Sequence, residues 1–213
     1  MGRPIDRRTM LSAAALTGGG MALPGLFPVW ALPVSPGIPT LPALSGTDIA
    51  LSIGHQAVTI DGRRHHAIAV NGTVPGPLIR LREGQQVRLR VENRLDEDSS
   101  IHWHGLLVPF QFDGVPGISF PGIAPRSTFT YEFPVIQSGT YWYHSHSGLQ
   151  EQIGHYGPLV IDPAGPDPIV AEREHVIVLS DFSPVHPHAI FRKLKQQGGY
   201  FNHNRQTLAG LLA

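Results

Sequence analysis

The sequence predicts an all-β fold, and three observations carry that expectation. Short runs rich in Val, Ile, Thr, Tyr and Phe alternate apolar and polar residues with the period of two that a half-buried strand requires. Turn-forming stretches separate these runs, drawn from 24 glycines and 20 prolines among 213 residues. The chain is also long enough to bury a sizeable core, as one full domain plus part of another or as one large all-β domain.

The elements follow in order. Residues 1–31 read as an export signal: Arg3, Arg7 and Arg8 form a basic start, Leu11 to Leu26 is apolar, and Val29-Trp30-Ala31 offers a small-residue cleavage site. The pair Arg7-Arg8 followed by Thr9-Met10-Leu11 resembles a twin-arginine signal, which would make that export machinery a partner; an ordinary secretory signal is the alternative. The mature protein is expected to be exported to the periplasm, with no membrane span, because no later apolar run approaches the ~20 residues needed. Residues 32–46 carry Pro33, Pro36, Pro39 and Pro42 at every third position and read as a Pro-rich linker.

From Thr47 the period becomes two. Ile49, Leu51 and Ile53 alternate with small or polar residues, Val87, Leu89 and Val91 with Arg88 and Arg90, and Phe129, Tyr131 and Phe133 with polar neighbours. Asn71 to Pro77 is a turn that no ladder can continue. Tyr141 to His146, Leu159 to Ile161 and Val176 to Leu179 extend the series, so a sandwich or barrel is expected over 47–165. The stretch Pro163 to Pro168 is too rich in Pro and Gly to be an element. Beyond it, an apolar strand at His175 to Leu179 and a short helix at Ala189 to Gln196 read as the incomplete start of a second domain, 166–213.

Composition excludes several functions. Sixteen Lys+Arg balance sixteen Asp+Glu without a basic block past the N-terminus, so nucleic acid is not expected as a partner. The chain has no cysteine, and its three methionines, Met1, Met10 and Met21, all lie in the export signal. Disulfides, zinc-thiolate sites, iron–sulfur clusters and a blue copper centre with its cysteine thiolate are therefore excluded from the mature chain.

The chemistry lies in the histidines, of which there are twelve. His102-Trp103-His104 and His144-Ser145-His146 each place imidazoles at i and i+2. On a strand that spacing puts both rings on one face, with Cα atoms roughly 6.5 Å apart, and turns Trp103 and Ser145 to the other face. One such pair is an ordinary surface feature; two, each flanked by aromatics and glycine, point to a four-imidazole metal site. Nitrogen ligands without thiolate lean toward copper, although spacing alone does not name the metal.

These residues also carry a resemblance. His102-Trp103-His104-Gly105, Phe112 to Gly117, and Gly139 to Gly148 with its His144-Ser145-His146 core resemble the first cupredoxin domain of multicopper oxidases, in particular the bacterial copper-resistance protein A group. Asn93 to Asp98, Gln150 to Gln152, Tyr156 to Leu159, Arg173 to His175 and Lys193 to Lys195 are shared as well. The resemblance implies a cupredoxin-like (plastocyanin-like) Greek-key β-sandwich. It implies that His102 binds a type 2 copper, His104 one type 3 copper, and His144 and His146 the type 3 pair, one to each ion. Asp113 matches an acidic position that helps supply protons during oxygen reduction; its other reading is turn chemistry, since Asp-Gly opens many tight turns. In such oxidases the other four histidines of the trinuclear cluster, and the blue site, belong to a C-terminal domain absent from this sequence. Half of the trinuclear site is thus expected here, to be completed by C-terminal cupredoxin domains in cis or in trans.

The remaining histidines draw plainer readings. His65-His66 is expected to face solvent and His155 to be structural, while Pro187 denies His186 and His188 a central strand. His175 and His203 have no assigned role. Two functions compete: the copper-binding N-terminal portion of a periplasmic multicopper oxidase, acting on copper(I) or phenolic compounds in copper resistance, and a periplasmic module that sequesters copper without turnover. Retention of all four motif histidines argues against a third, a copper-free cupredoxin scaffold.

Overall fold

A computed structural model describes residues 41–167, 169 and 171–202. The export signal, the linker up to Thr40 and His203 lie outside the described residues. The strands are β1 (Ala43–Ser45), β2 (Asp48–Ile60), β3 (Arg63–Val70), β4 (Leu78–Arg82), β5 (Gln86–Asn93), β6 (His102–His104), β7 (Thr128–Pro134), β8 (Gly139–His144) and β9 (Tyr156–Asp162). Short 3-10 turns fall at Phe110–Phe112 and Glu151–Ile153, and a helix, α1, spans Pro187–Gln196.

Two sheets form the sandwich. One has the order β1-β4-β9-β8-β6, the other β3-β2-β5-β7. Strand β5 illustrates how sequence makes the layer: Val87, Leu89 and Val91 are buried while Arg88, Arg90 and Glu92 are exposed. Across the ladder Tyr131 and Phe133 of β7 sit opposite Leu89 and Val87, so the facing inner surfaces of both strands are apolar there. The other sheet answers with Ile79, Leu81, Trp103, Tyr143, Leu159 and Ile161. Each such side chain contributes about 1.5–3 kcal/mol on burial, which the solvated outer faces do not. Outside, Arg88 pairs with Glu132 at 3.3 Å and Arg90 with Asp48 at 3.2 Å, exposed contacts that add little stability.

Four expectations change. Ala43–Ser45, read as linker, pairs in parallel with Leu78–Arg80 and so belongs to the sheet. The strand expected to run through His146 ends at His144, and irregular backbone carries His146. The segment His175–Leu179 forms no ladder among the described residues, and Ile177 and Leu179 are 76% and 91% exposed. Its continuous apolar run Val176 to Leu179 predicts a segment that seeks burial, but a strand also needs a partner edge. Helix α1 begins two residues earlier than expected, with Pro187 in its first turn and His186 as the cap accepting the His188 N–H at 3.4 Å. No described helix is long and apolar enough to cross a membrane.

Candidate metal centre

Strand β6 has three residues and lies at the edge of its sheet, paired only with β8. The antiparallel register sets His102 opposite His144, Trp103 opposite Tyr143 and His104 opposite Trp142. Both motifs therefore present imidazoles to the same face. Trp103 and Tyr143 go the other way, fully buried in the core, where Trp103 packs edge-on to Tyr131 with ring centroids 5.2 Å apart. The fixed histidine positions follow from this anchoring, because a one-residue slip would expel both aromatic rings from the core. Tyr143 is locked further by its hydroxyl, which donates to the Pro77 carbonyl at 2.8 Å, and by Gly157, where a Cβ would run into the Tyr143 ring.

The rings converge. One nitrogen from each of His102, His104 and His144 lies within 4.8 Å of the others, the first half-buried, the second exposed and the third buried. His104 Nδ1 is 3.1 Å from His144 Nε2. The His146 ring, although carried beyond the strand, comes within 4.8 Å of His102 and 5.0 Å of His144, centroid to centroid. The structure thus brings all four expected histidines together, three of them tightly.

Acceptors behind the rings orient them. His102 Nδ1 lies 2.6 Å from the Asp113 carbonyl oxygen and 3.5 Å from the Asp113 carboxylate. His144 Nδ1 lies 3.1 Å from the Ser145 carbonyl and 2.7 Å from Glu151 Oε2. An Nδ1–H facing these acceptors leaves the Nε2 lone pair of each ring for the cluster, the arrangement that outer partners impose on metal-binding imidazoles. Burial pushes His144 down to about 4, against a smaller opposing effect of the Ser145 carbonyl; His146, His102 and His104 add to the depression. Burial, with His102 and His104, also lowers His146. Neutral rings are the form that binds a cation.

Several contributors escaped the sequence reading. Trp142 stacks on His144 at 4.1 Å and 16°, a contact predictable from their i and i+2 spacing on one face. Glu151 and a buried polar network left no local signal. His146 N–H donates to Ser100 Oγ at 2.9 Å, Ser147 Oγ donates to the same oxygen at 3.0 Å, and Gln150 Oε1 accepts from Ser99 at 2.7 Å and Ser145 at 2.9 Å. Gln150 Nε2 donates to the Asp98 carbonyl at 2.8 Å, completing the support under the His144–His146 loop. His155 is fully buried, as its structural reading requires, and its N–H donates to the Gln150 carbonyl at 3.1 Å.

Comparison with known proteins agrees with this arrangement. The family model described as multicopper oxidase matches residues 52–166. A copper resistance protein A homolog of Pseudomonas syringae pv. tomato is 54% identical over 97% of this chain and 35% of its own length. Copper resistance protein A of Escherichia coli is 47% identical over 95% of the chain and 33% of its own length. The chain therefore spans about a third of the length of these curated relatives. Among solved structures, the multi-copper oxidase from Pseudomonas thermotolerans superposes with a TM-score of 0.55 at 35% identity, over 59% of this chain and 31% of that one. The blue copper oxidase from Nitrosomonas europaea gives 0.55 at 37% identity, over 59% and 41%. With a cupredoxin-like sandwich, four converging imidazoles and a matching family model over more than half its length, the chain belongs to the multicopper oxidase family.

Proposed function

We propose that this chain is the copper-binding N-terminal portion of a periplasmic multicopper oxidase of copper resistance, which couples oxidation of copper(I) or phenolic substrates to reduction of oxygen to water. The observation that carries the reading is the cluster of His102, His104 and His144 nitrogens within 4.8 Å, with His146 beside it. The donor set fits copper: neutral imidazoles, lone pairs oriented inward, and no thiolate in the sequence. In this reading His102 holds the type 2 ion, and His104, His144 and His146 hold the type 3 pair. Copper bound there supplies electron-transfer and oxygen-reducing chemistry. The protein's own part is to hold the rings in one tautomer through Asp113 and Glu151, to shield His144 under Trp142, and to keep the Asp113 carboxylate 3.5 Å from His102 as a local proton source. Exposed rings at His104 and His146 leave room for ligands from C-terminal domains, so these four histidines constitute half of a trinuclear site.

The test is copper uptake by the metal-free chain. Replacing His102, His104, His144 and His146 with Ala should abolish tight binding at this cluster, and His104→Gln alone, at an exposed ring, should weaken it at least about tenfold without unfolding the sandwich. Unchanged stoichiometry and affinity in both variants would overturn the assignment. Tight uptake lost on substitution, with no oxygen consumption even when the C-terminal domains are supplied, would favour the sequestration module.

A further inference from the structure

Five of the twelve histidines gather at a second place, where residues 180–188 lie over the β2–β3 hairpin. A cavity of about 570 Å³ there is lined by His55, His65, His66, His186 and His188, together with Glu97. His55 and His66 are diagonal neighbours on one face of the hairpin, His55 opposite Ile68 and His66 opposite Ala57. His66 Nε2 stands 2.8 Å from His55 Nδ1, with ring centroids 4.8 Å apart and planes inclined at 45°. Both side chains are exposed, so this contact is not what holds the hairpin together. His186 caps α1 through Nδ1, which leaves its Nε2 without a role in the helix.

We propose that this cavity is a second metal site, in which His55, His66 and His186 take a divalent late first-row cation, with copper(II) preferred. Imidazole nitrogens about 2.0–2.1 Å from one metal ion and separated by roughly 90–110° lie about 2.8–3.4 Å from each other, and the His55–His66 pair already has that spacing. The cation would replace the proton the two rings share. Three imidazole nitrogens and no thiolate put copper(II) at the top of the affinity order, above nickel(II) and zinc(II). His186, also exposed, lines the same cavity, and its Nε2 supplies the third nitrogen. This site shares no residue with the His102–His146 cluster, so it stands whether or not the proposed oxidase role does.

The experiment uses the whole chain, with copper(II) and zinc(II) as probes. The double variant His55→Gln/His66→Gln changes two exposed rings and should take up one copper(II) ion fewer per chain by equilibrium dialysis, while uptake at the His102–His146 cluster is unchanged. His186→Gln should weaken the same ion. In the quadruple Ala variant of the first cluster this ion should remain. Zinc(II) added to ¹⁵N-labelled protein should shift His55 Nδ1 and His66 Nε2 in ring-nitrogen spectra. Equal copper uptake with equal affinity in the double variant, or unmoved His55 and His66 ring signals at saturating zinc(II), would overturn the proposal and reduce the pair to a hydrogen bond.

Discussion

Gly114 adopts φ +82°, and a Cβ built there would run into the carbonyl oxygen of Ile101, the residue before the first cluster histidine. The loop therefore lies directly on the edge strand, which is what brings the Asp113 carbonyl to within 2.6 Å of His102 Nδ1. Asp113 and Gly114 act as a unit, so the turn reading and the site reading of Asp-Gly are the same geometry seen from two sides. Gly114→Ala should cost at least about 1 kcal/mol from backbone conformation alone, with more from the collision, and should weaken copper binding because His102 loses its orienting acceptor. Asp113→Asn keeps the carbonyl and removes only the carboxylate, so copper affinity should stay nearly unchanged. Urea midpoints and copper titrations of both variants check this; a Gly114→Ala protein with parental stability and affinity would show that the loop does not position the ring.

The loop between β8 and β9 shows how one element can support the site and sensitise the fold to acid. His155 is fully buried there, and no described residue hydrogen-bonds either of its ring nitrogens. Burial, helped by the nearby His144, pushes it from 6.5 down to about 3. Folding thus favours the neutral ring: its contribution is complete above the unfolded value near 6.5 and is lost as pH falls from there toward 3, by about 1 kcal/mol per pH unit. Metal-free protein should lose stability between pH 6.5 and 4.5, and His155→Phe should remove part of that slope, leaving the part due to His144 and His146, which burial also lowers; Asp162, lowered by its bond to Arg80, acts only at more acid pH. Urea midpoints across the range decide it, and an unchanged slope in the variant would assign the acid sensitivity elsewhere. The same loop marks the limit of what the sequence reveals. Strands β2, β5 and β7 were legible because half-buried strands must alternate, and the facing of β6 and β8 because His-x-His is itself a period-two signal. Gln150, Ser100 and Glu151 were not, since their partners lie up to 53 residues away and polar loop residues follow no period. Ala43–Ser45 was hidden by the prolines around it, and Val176–Leu179 misled because an apolar run announces a need for burial without supplying a neighbour.

At the scale of the whole molecule, the sandwich ends in two different ways. Its β6–β8 end carries the histidine cluster with His104 and His146 exposed, and residues 173–183 run outside regular secondary structure, tied back by Arg80 to Glu174 at 3.2 Å and Tyr156 to Ser180 at 2.8 Å. Ile177 and Leu179 are exposed apolar residues, and in the function proposed above C-terminal domains would cover them and complete the ligand set beside His104 and His146. The chain has no cysteine, so electrons cannot enter it through a thiolate-bound copper. The copper-loaded 213-residue chain alone should therefore lack the intense blue thiolate-to-copper absorption and consume no oxygen with phenolic or copper(I) substrates. Joined to C-terminal cupredoxin domains bearing a His-x-x-His-x-His and a His-Cys-His motif, it should gain both the blue band and turnover, and His104→Gln in that assembly should abolish turnover while leaving the band. An optical spectrum and an oxygen electrode suffice. A strong blue band from the isolated chain would refute the ligand argument, and turnover that survives His104→Gln would mean the cluster on β6 and β8 is not where oxygen is reduced.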